Sequence, residues 1–144
     1  MKLFAIMLGL ALGLAGCGSG NGSTAPCMPV PQVVPAPPTL LSPAPGATGV
    51  SPSGLTVTIS YDPAGNGTLR LVDGSGATLT GGAFAPAPTG SGQPAGSAVA
   101  SAPPLAARTT YTVFVDAVYP PANPCIQDAR SGATSFQLGS FTTS

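Results

Sequence analysis

Beyond residue 38, proline and glycine recur so often that no stretch is left in which a long helix could run. Proline removes a helical hydrogen bond and clashes with the preceding turn, and glycine adds backbone entropy that a helix must overcome. The chain holds 20 glycines and 18 prolines, and between them apolar residues never settle into the 3.6-residue spacing of an amphipathic helix. What remains is a series of short runs that alternate apolar and polar, the two-residue period of a strand with one buried face. The sequence predicts an all-β domain.

The clearest run is Leu55, Val57, Ile59 and Tyr61, alternating with Thr56, Thr58 and Ser60. After the turn-forming Pro63-Ala64-Gly65-Asn66-Gly67 comes a second strand, Thr68 to Val72, closed by Asp73-Gly74, residue types that tolerate tight turns. Shorter candidates are Thr39 to Ser42, Ala77 to Thr80 and Ser97 to Ala102, with Ala85 to Gly96 reading as irregular chain. Two stronger strands follow. Tyr111, Val113, Val115 and Ala117 share one face, and from Thr134 to Thr142 the residues Phe136 and Leu138 alternate until Gly139 changes the register. About seven short antiparallel strands over roughly a hundred residues is the size of an immunoglobulin-like sandwich.

The residues leading into the penultimate strand carry a resemblance. Leu105, Thr109, Tyr111, Val113 and Val115 hold the spacing found at the approach to strand F of fibronectin type III and bacterial Ig-like domains. The opening Leu41-Ser42-Pro43-Ala44-Pro45-Gly46-Ala47-Thr48-Gly49-Val50 and the closing Phe136 to Thr143 look like the two ends of bacterial Ig-like domains, so the resemblance covers residues 38 to 144. It implies a tyrosine corner at Leu105, Thr109 and Tyr111, with the Tyr111 ring at the core edge and its hydroxyl bonded to backbone a few residues upstream. The chain departs from that pattern in its Pro/Gly-rich insertion before strand F. The family includes spacers, adhesins and accessory modules, so the resemblance speaks to fold more than to function.

The chain opens differently. Lys2 precedes an uncharged apolar run from Leu3 to Leu14 and then small residues, the order of a secretory signal. The run is shorter than the roughly 20 residues a membrane-spanning helix needs. Leu14-Ala15-Gly16-Cys17 resembles the lipobox of bacterial lipoproteins, which implies that the Cys17 thiol receives a diacylglyceryl group, that residues 1–16 are removed, and that the new amine is acylated with palmitate-type chains. A soluble exported protein cut after Gly18 is the alternative. Two lipid signals suffice for stable anchoring. Residues 17–38, glycine- and serine-rich and then proline-rich, form a tether that passes from flexible to stiff and extended chain. The expected organisation is a signal peptide at 1–16, a lipidated Cys17 with its tether to 38, and a single Ig-like β-sandwich at 39–144. Gly18 and Ser19 lack the aspartate that in such lipoproteins accompanies inner-membrane retention, so in a two-membrane bacterium the outer membrane is the expected site.

Cys27 and Cys125 remain, and an oxidising compartment pairs such thiols. In an Ig-like sandwich the start of strand A and the F-to-G loop share one end, which would let the two meet; two free thiols are the alternative. Zinc needs three or four Cys or His ligands, and this chain has no histidine, so no metal or other cofactor is expected.

Charged residues are 6% of the chain, against about 25% in ordinary soluble proteins. After processing, Arg70, Arg108 and Arg130 face Asp62, Asp73, Asp116 and Asp128, too few and too scattered to bind nucleic acid. The mature chain contains no His, Glu, Lys or Trp, so the usual acid, base and nucleophile-activating groups are missing. No spaced run of oxygen ligands resembles a calcium loop, and the aspartates read as turn or outward strand residues. The expectation is therefore not an enzyme but a lipid-anchored envelope protein, held to the membrane through Cys17, whose sandwich serves as a structural or protein-interaction module. The alternative is a polysaccharide- or ligand-binding surface module. The long segment from Tyr119 to Ala133, with Tyr119, Asp128 and Arg130, is its candidate recognition loop, and Tyr119 its candidate sugar-stacking ring.

Overall fold

A computed structural model describes residues 36–60, 66–94, 96–119 and 132–144. The expected signal peptide at 1–16, the expected tether up to residue 35, residues 61–65, and Cys17, Cys27, Cys125, Asp128 and Arg130 lie outside the described residues.

Among the described residues there is no helix. Eight strands follow one another: β1 (Leu40–Ser42), β2 (Thr56–Ser60), β3 (Asn66–Asp73), β4 (Thr78–Ala83), β5 (Ala85–Pro86), β6 (Ser97–Ser101), β7 (Thr110–Tyr119) and β8 (Gly132–Thr142). They form two four-stranded antiparallel sheets with orders β1-β2-β6-β5 and β4-β3-β7-β8, a β-sandwich. Alternation decides which face each strand turns inward. Val57 and Ile59 pair with Ala100 and Ala98 on the first sheet, and Leu69 and Leu71 pair with Val115 and Val113 on the second. All eight are buried and face one another across the sandwich with Tyr111, Ala117 and Phe141. Each large side chain so buried contributes about 1.5–3 kcal/mol.

Three sequence expectations change. Residues 85–96 are not wholly irregular, because Ala85 and Pro86 pair with Val99 and Ala98 as a short edge strand, making eight strands rather than seven. Proline is tolerated there because an edge strand needs no donor on its free side. Thr58, read as outward and polar, is only 1% exposed, since it sits in a central strand opposite Ser42 on one side and Val99 on the other. The β3–β4 turn takes its positive φ at Gly76 rather than Gly74, while the Asp73 carboxylate accepts hydrogen bonds from the backbone N–H groups of Ser75 and Ala77 and from the Ser75 hydroxyl. The register change near Gly139 is present, as one extra residue at Leu138 between the pairs Val113–Gly139 and Phe114–Gln137.

The passage from one sheet to the other is made at Gly81-Gly82. Both stand opposite Leu69, a bulge that bends β4 toward the first sheet. A Cβ on Gly81 would lie 2.8 Å from the Ser101 carbonyl oxygen and 2.8 Å from Leu69 Cδ2. One of those atoms is backbone, so it cannot swing aside. The other end of the second sheet is fixed by the segment 46–50, which leaves β1 and runs along β8. Gly46 donates to Ser140, Thr142 to Ala47, Val50 to Thr142 and Ser144 to Val50, with the parallel bridge Val50–Thr143 among them.

Gly81→Ala is expected to lower unfolding stability by about 1–3 kcal/mol, the usual penalty for overpacking. Gly74→Ala, where an added Cβ meets nothing within 4 Å, should change it by no more than about 0.5 kcal/mol. Urea unfolding of both variants checks this, and equal losses would mean that the close approach of β4 to β6 does not limit the fold.

Candidate functional site

The register of the second sheet gathers its charges on the outer face. Arg70 on β3 stands opposite Phe114 on β7, Thr68 opposite Asp116, and Asp116 in turn opposite Ser135 on β8. Arg70 therefore lies diagonally from Asp116, within the reach of a long side chain. Its Nε donates to Asp116 Oδ2 at 2.6 Å, its Nη2 to Oδ1 at 3.0 Å and also to Ser135 Oγ at 2.8 Å, while the Ser135 hydroxyl donates to Oδ1 at 2.6 Å. The guanidinium carbon lies 4.3 Å above the Phe114 ring, a cation–π contact that adds to the pair.

This geometry fixes the protonation states. The Arg70 hydrogen bond, with a smaller contribution from Ser135, holds the Asp116 carboxyl below its ordinary range against a desolvation effect that works the other way. Asp116 raises the affinity of Arg70 for its proton. A carboxylate held ionised with both oxygens occupied has no proton to give and little basicity to offer at neutral pH. Among the described residues no three His, Cys, Asp or Glu side chains cluster as metal ligands do. Among the described residues, the charged groups of this face are spent on one another.

Beside the pair, Asp116, Ala117, Val118, Ala133, Thr134 and Ser135 line a shallow depression of about 250 Å³. Val118, 62% exposed, is the most exposed large apolar side chain among the described residues. A second depression of about 310 Å³ lies in the loop after β5, among Pro88, Gln93 and Pro94, and carries no charge.

The residues singled out from sequence fall into three groups. Tyr111 is 2% exposed, packs its ring 5.9 Å from Phe141, and accepts a hydrogen bond from the Ala106 N–H at 3.0 Å. Leu105 donates its N–H to Pro52, and the Thr109 N–H donates to Thr143 Oγ1 while its own hydroxyl reaches the Ala107 carbonyl. Together they tie the segment before β7 to both the core and the C-terminal residues. Tyr119 is a correction: it ends β7 instead of opening a loop, is 3% exposed, and meets Phe136 edge to face at 6.5 Å. Its position continues the inward parity of Tyr111, Val113, Val115 and Ala117, so the ring belongs to the core and offers no face to a sugar. Asp128 and Arg130 lie outside the described residues.

Arg70, Phe114, Val118 and Ser135 were missed from sequence as members of one site. Asp116 was legible as an outward residue, and Arg70 occupies an outward position of its own strand by the same alternation. Nothing in the sequence says which residue on β3 faces which on β7, so their pairing was not legible.

Tyr111→Phe keeps the ring but leaves the Ala106 N–H without its acceptor, and should destabilise the domain by about 0.5–1.5 kcal/mol. Asp116→Asn should cost about 0.2–1 kcal/mol at pH 7, discounted for solvent screening because the Asp116 side chain is 42% exposed. Its folded-state pKa is depressed, so the ionic contribution is complete above the unfolded-state value and is lost as pH falls through the lower folded value. The gap between wild type and Asp116→Asn should accordingly close between pH 5 and acid. Denaturant midpoints at about pH 7 and pH 3 test it, and a gap that stays constant would rule out the ion pair as its source.

No protein-family model matches this chain, and no curated protein matches it.

Proposed function

We propose that the protein is a lipid-anchored component of a bacterial cell envelope that displays one Ig-like sandwich as a structural or protein-interaction module. The observation that carries this reading is Leu14-Ala15-Gly16-Cys17 placed directly after a singly charged start and an apolar run. A lipid on Cys17 explains how a chain with no second long apolar stretch would stay at a membrane, and the proline-rich stretch after it would hold the domain away from the surface.

Support for the Ig-like assignment comes from strand order. Lettered in chain order, β1-β2-β6-β5 and β4-β3-β7-β8 correspond to A-B-E-D and C′-C-F-G, the arrangement of immunoglobulin-like sandwiches. The bond from the Ala106 N–H to the Tyr111 hydroxyl has the form of a tyrosine corner. The reading is non-enzymatic, since the one ion pair described is saturated and the mature sequence lacks His, Glu and Lys. In a two-membrane bacterium, Gly18 and Ser19 after Cys17 favour the outer membrane.

Cys27 and Cys125 complete the proposal as a disulfide. Strand direction supports it: Leu40, the first residue of β1, and the β7 and β8 termini Tyr119 and Gly132 share one end of the sandwich, because β1 pairs with the end of β2 that leads into β3. Such a bridge would close a long loop and stabilise by about 2–4 kcal/mol.

Intact mass spectrometry of the detergent-extracted protein, with and without reductant, reads all of this at once. The expected mass begins at Cys17, carries acyl chains, and rises by about two daltons on reduction as one disulfide takes up two hydrogens. A mass without acyl chains would replace the anchored module with a secreted one, and an unchanged mass on reduction would leave Cys27 and Cys125 as free thiols.

A further inference from the structure

Sheet edges present unpaired N–H and C=O groups, and proteins blunt them with proline, bulges, very short strands or covering chain. Among the described residues, three of the four edges of this sandwich carry such a device. β1 is three residues long and lies between Pro38 and Pro43; β5 is two residues long and includes Pro86; β4 is bent away by Gly81-Gly82 immediately after Thr80. The fourth edge, β8, is covered only over Ser140 to Ser144, by the segment 46–50.

The rest of β8, Gly132 to Leu138, contains no proline and no charged residue. Its outward groups follow from the ladder. Ser140 and Thr142 turn their backbone groups away from β7, toward 46–50, and the extra residue at Leu138 shifts that alternation by one. Ala133, Ser135 and Gln137 therefore point N–H and C=O away from β7, and among the described residues nothing on that side bonds to them.

We propose that this open half of β8 pairs with the same segment of a second copy, antiparallel about Ser135, joining the two β4-β3-β7-β8 sheets into one continuous sheet. The segment fits its own two-fold image. Ser135 faces Ser135, Ala133 faces the second copy's Gln137, and no charge stands opposite a like charge. Among the described residues the nearest carboxylate, Asp116, is already bound by Arg70. The depression lined by Val118 and Ala133 flanks the same edge, so the second copy's Gln137 would come down beside the exposed Val118 side chain. This pairing needs only the edge, and holds whether or not Cys17 carries lipid.

Directly opposed residues of a hydrogen-bonded antiparallel pair have Cα atoms about 5.5 Å apart, within the roughly 4.4–6.8 Å that a disulfide spans. The test is full-length Ser135→Cys, oxidised where the host places it, in membranes or in medium, and run on a non-reducing gel beside the wild-type chain and Thr80→Cys on the β4 edge. A reducible dimer for Ser135→Cys alone supports the pairing. No added dimer, an adduct with a different protein, or equal cross-linking of Thr80→Cys overturns it. Because a β8 substitution disturbs the Ser135–Asp116 bond, light scattering of the unaltered protein in detergent provides a second reading. A dimer that Ser135→Lys, placing two ammonium groups face to face, converts to monomer is expected, whereas a monomeric wild type at tens of micromolar overturns the proposal.

Discussion

Everything in this sandwich depends on the apolar seam where β2 and β6 face β3 and β7. With charge so sparse, burial of Val57, Ile59, Leu69, Leu71, Val113 and Val115, all at most 3% exposed, is the main favourable contribution that can oppose chain entropy. The seam is unequal in thickness. The first sheet brings Ala98 and Ala100 where the second brings leucines and valines, so small residues on β6 make room for larger ones opposite. That complementarity explains why β4 can pass so close to β6 that only glycine fits at position 81. A side chain there would separate the sheets at the place where they are already in contact through backbone.

Around that seam, the polar contacts act mainly to close the chain ends. Thr143, 3% exposed, accepts from the Thr109 N–H and donates to the Ala106 carbonyl at 2.7 Å, so one buried hydroxyl serves both a donor and an acceptor of the segment leading into β7. Tyr111 satisfies the neighbouring Ala106 N–H. Among the described residues no buried side-chain polar atom lacks a partner, which is what a core with few polar groups must achieve if none is to be a net loss. The parallel run of 46–50 along the end of β8 does the same for backbone groups, and it also makes the C-terminal half of that strand an interior strand.

How much of this was legible in the sequence follows from what each signal reports. The two-residue period is a local property, so all-β architecture and seven of the eight strands could be read from residues such as Val57, Ile59, Tyr111, Val113 and Val115. The two-residue β5 was not legible, because Ala85-Pro86 has no alternation and owes its pairing entirely to β6. Thr58 and Tyr119 show the other limit. Alternation placed Thr58 outward, which holds, but the strands on either side bury it, whereas Tyr119 was placed in a loop although the inward parity of β7 runs on to that residue. The Arg70–Asp116–Ser135 cluster was legible only in its parts, since cross-strand register is a long-range property that no single strand encodes.

The same distinction bears on what the domain does. A site for chemistry needs groups held out of their preferred protonation state, and strain or desolvation to hold them there. Here the perturbed carboxylates, Asp73 and Asp116, are shifted toward their charged forms by hydrogen bonds, the direction that stabilises a fold and quenches reactivity. Among the described residues the one ion pair, Arg70–Asp116, is saturated by its own partners and Ser135, so this cluster leaves a partner little free charge to meet. What remains is shape and backbone. On the proposed reading, recognition would come from strand edges and close apolar fit, contacts that are short in range and specific in register, and these would suit a module anchored beside its neighbours.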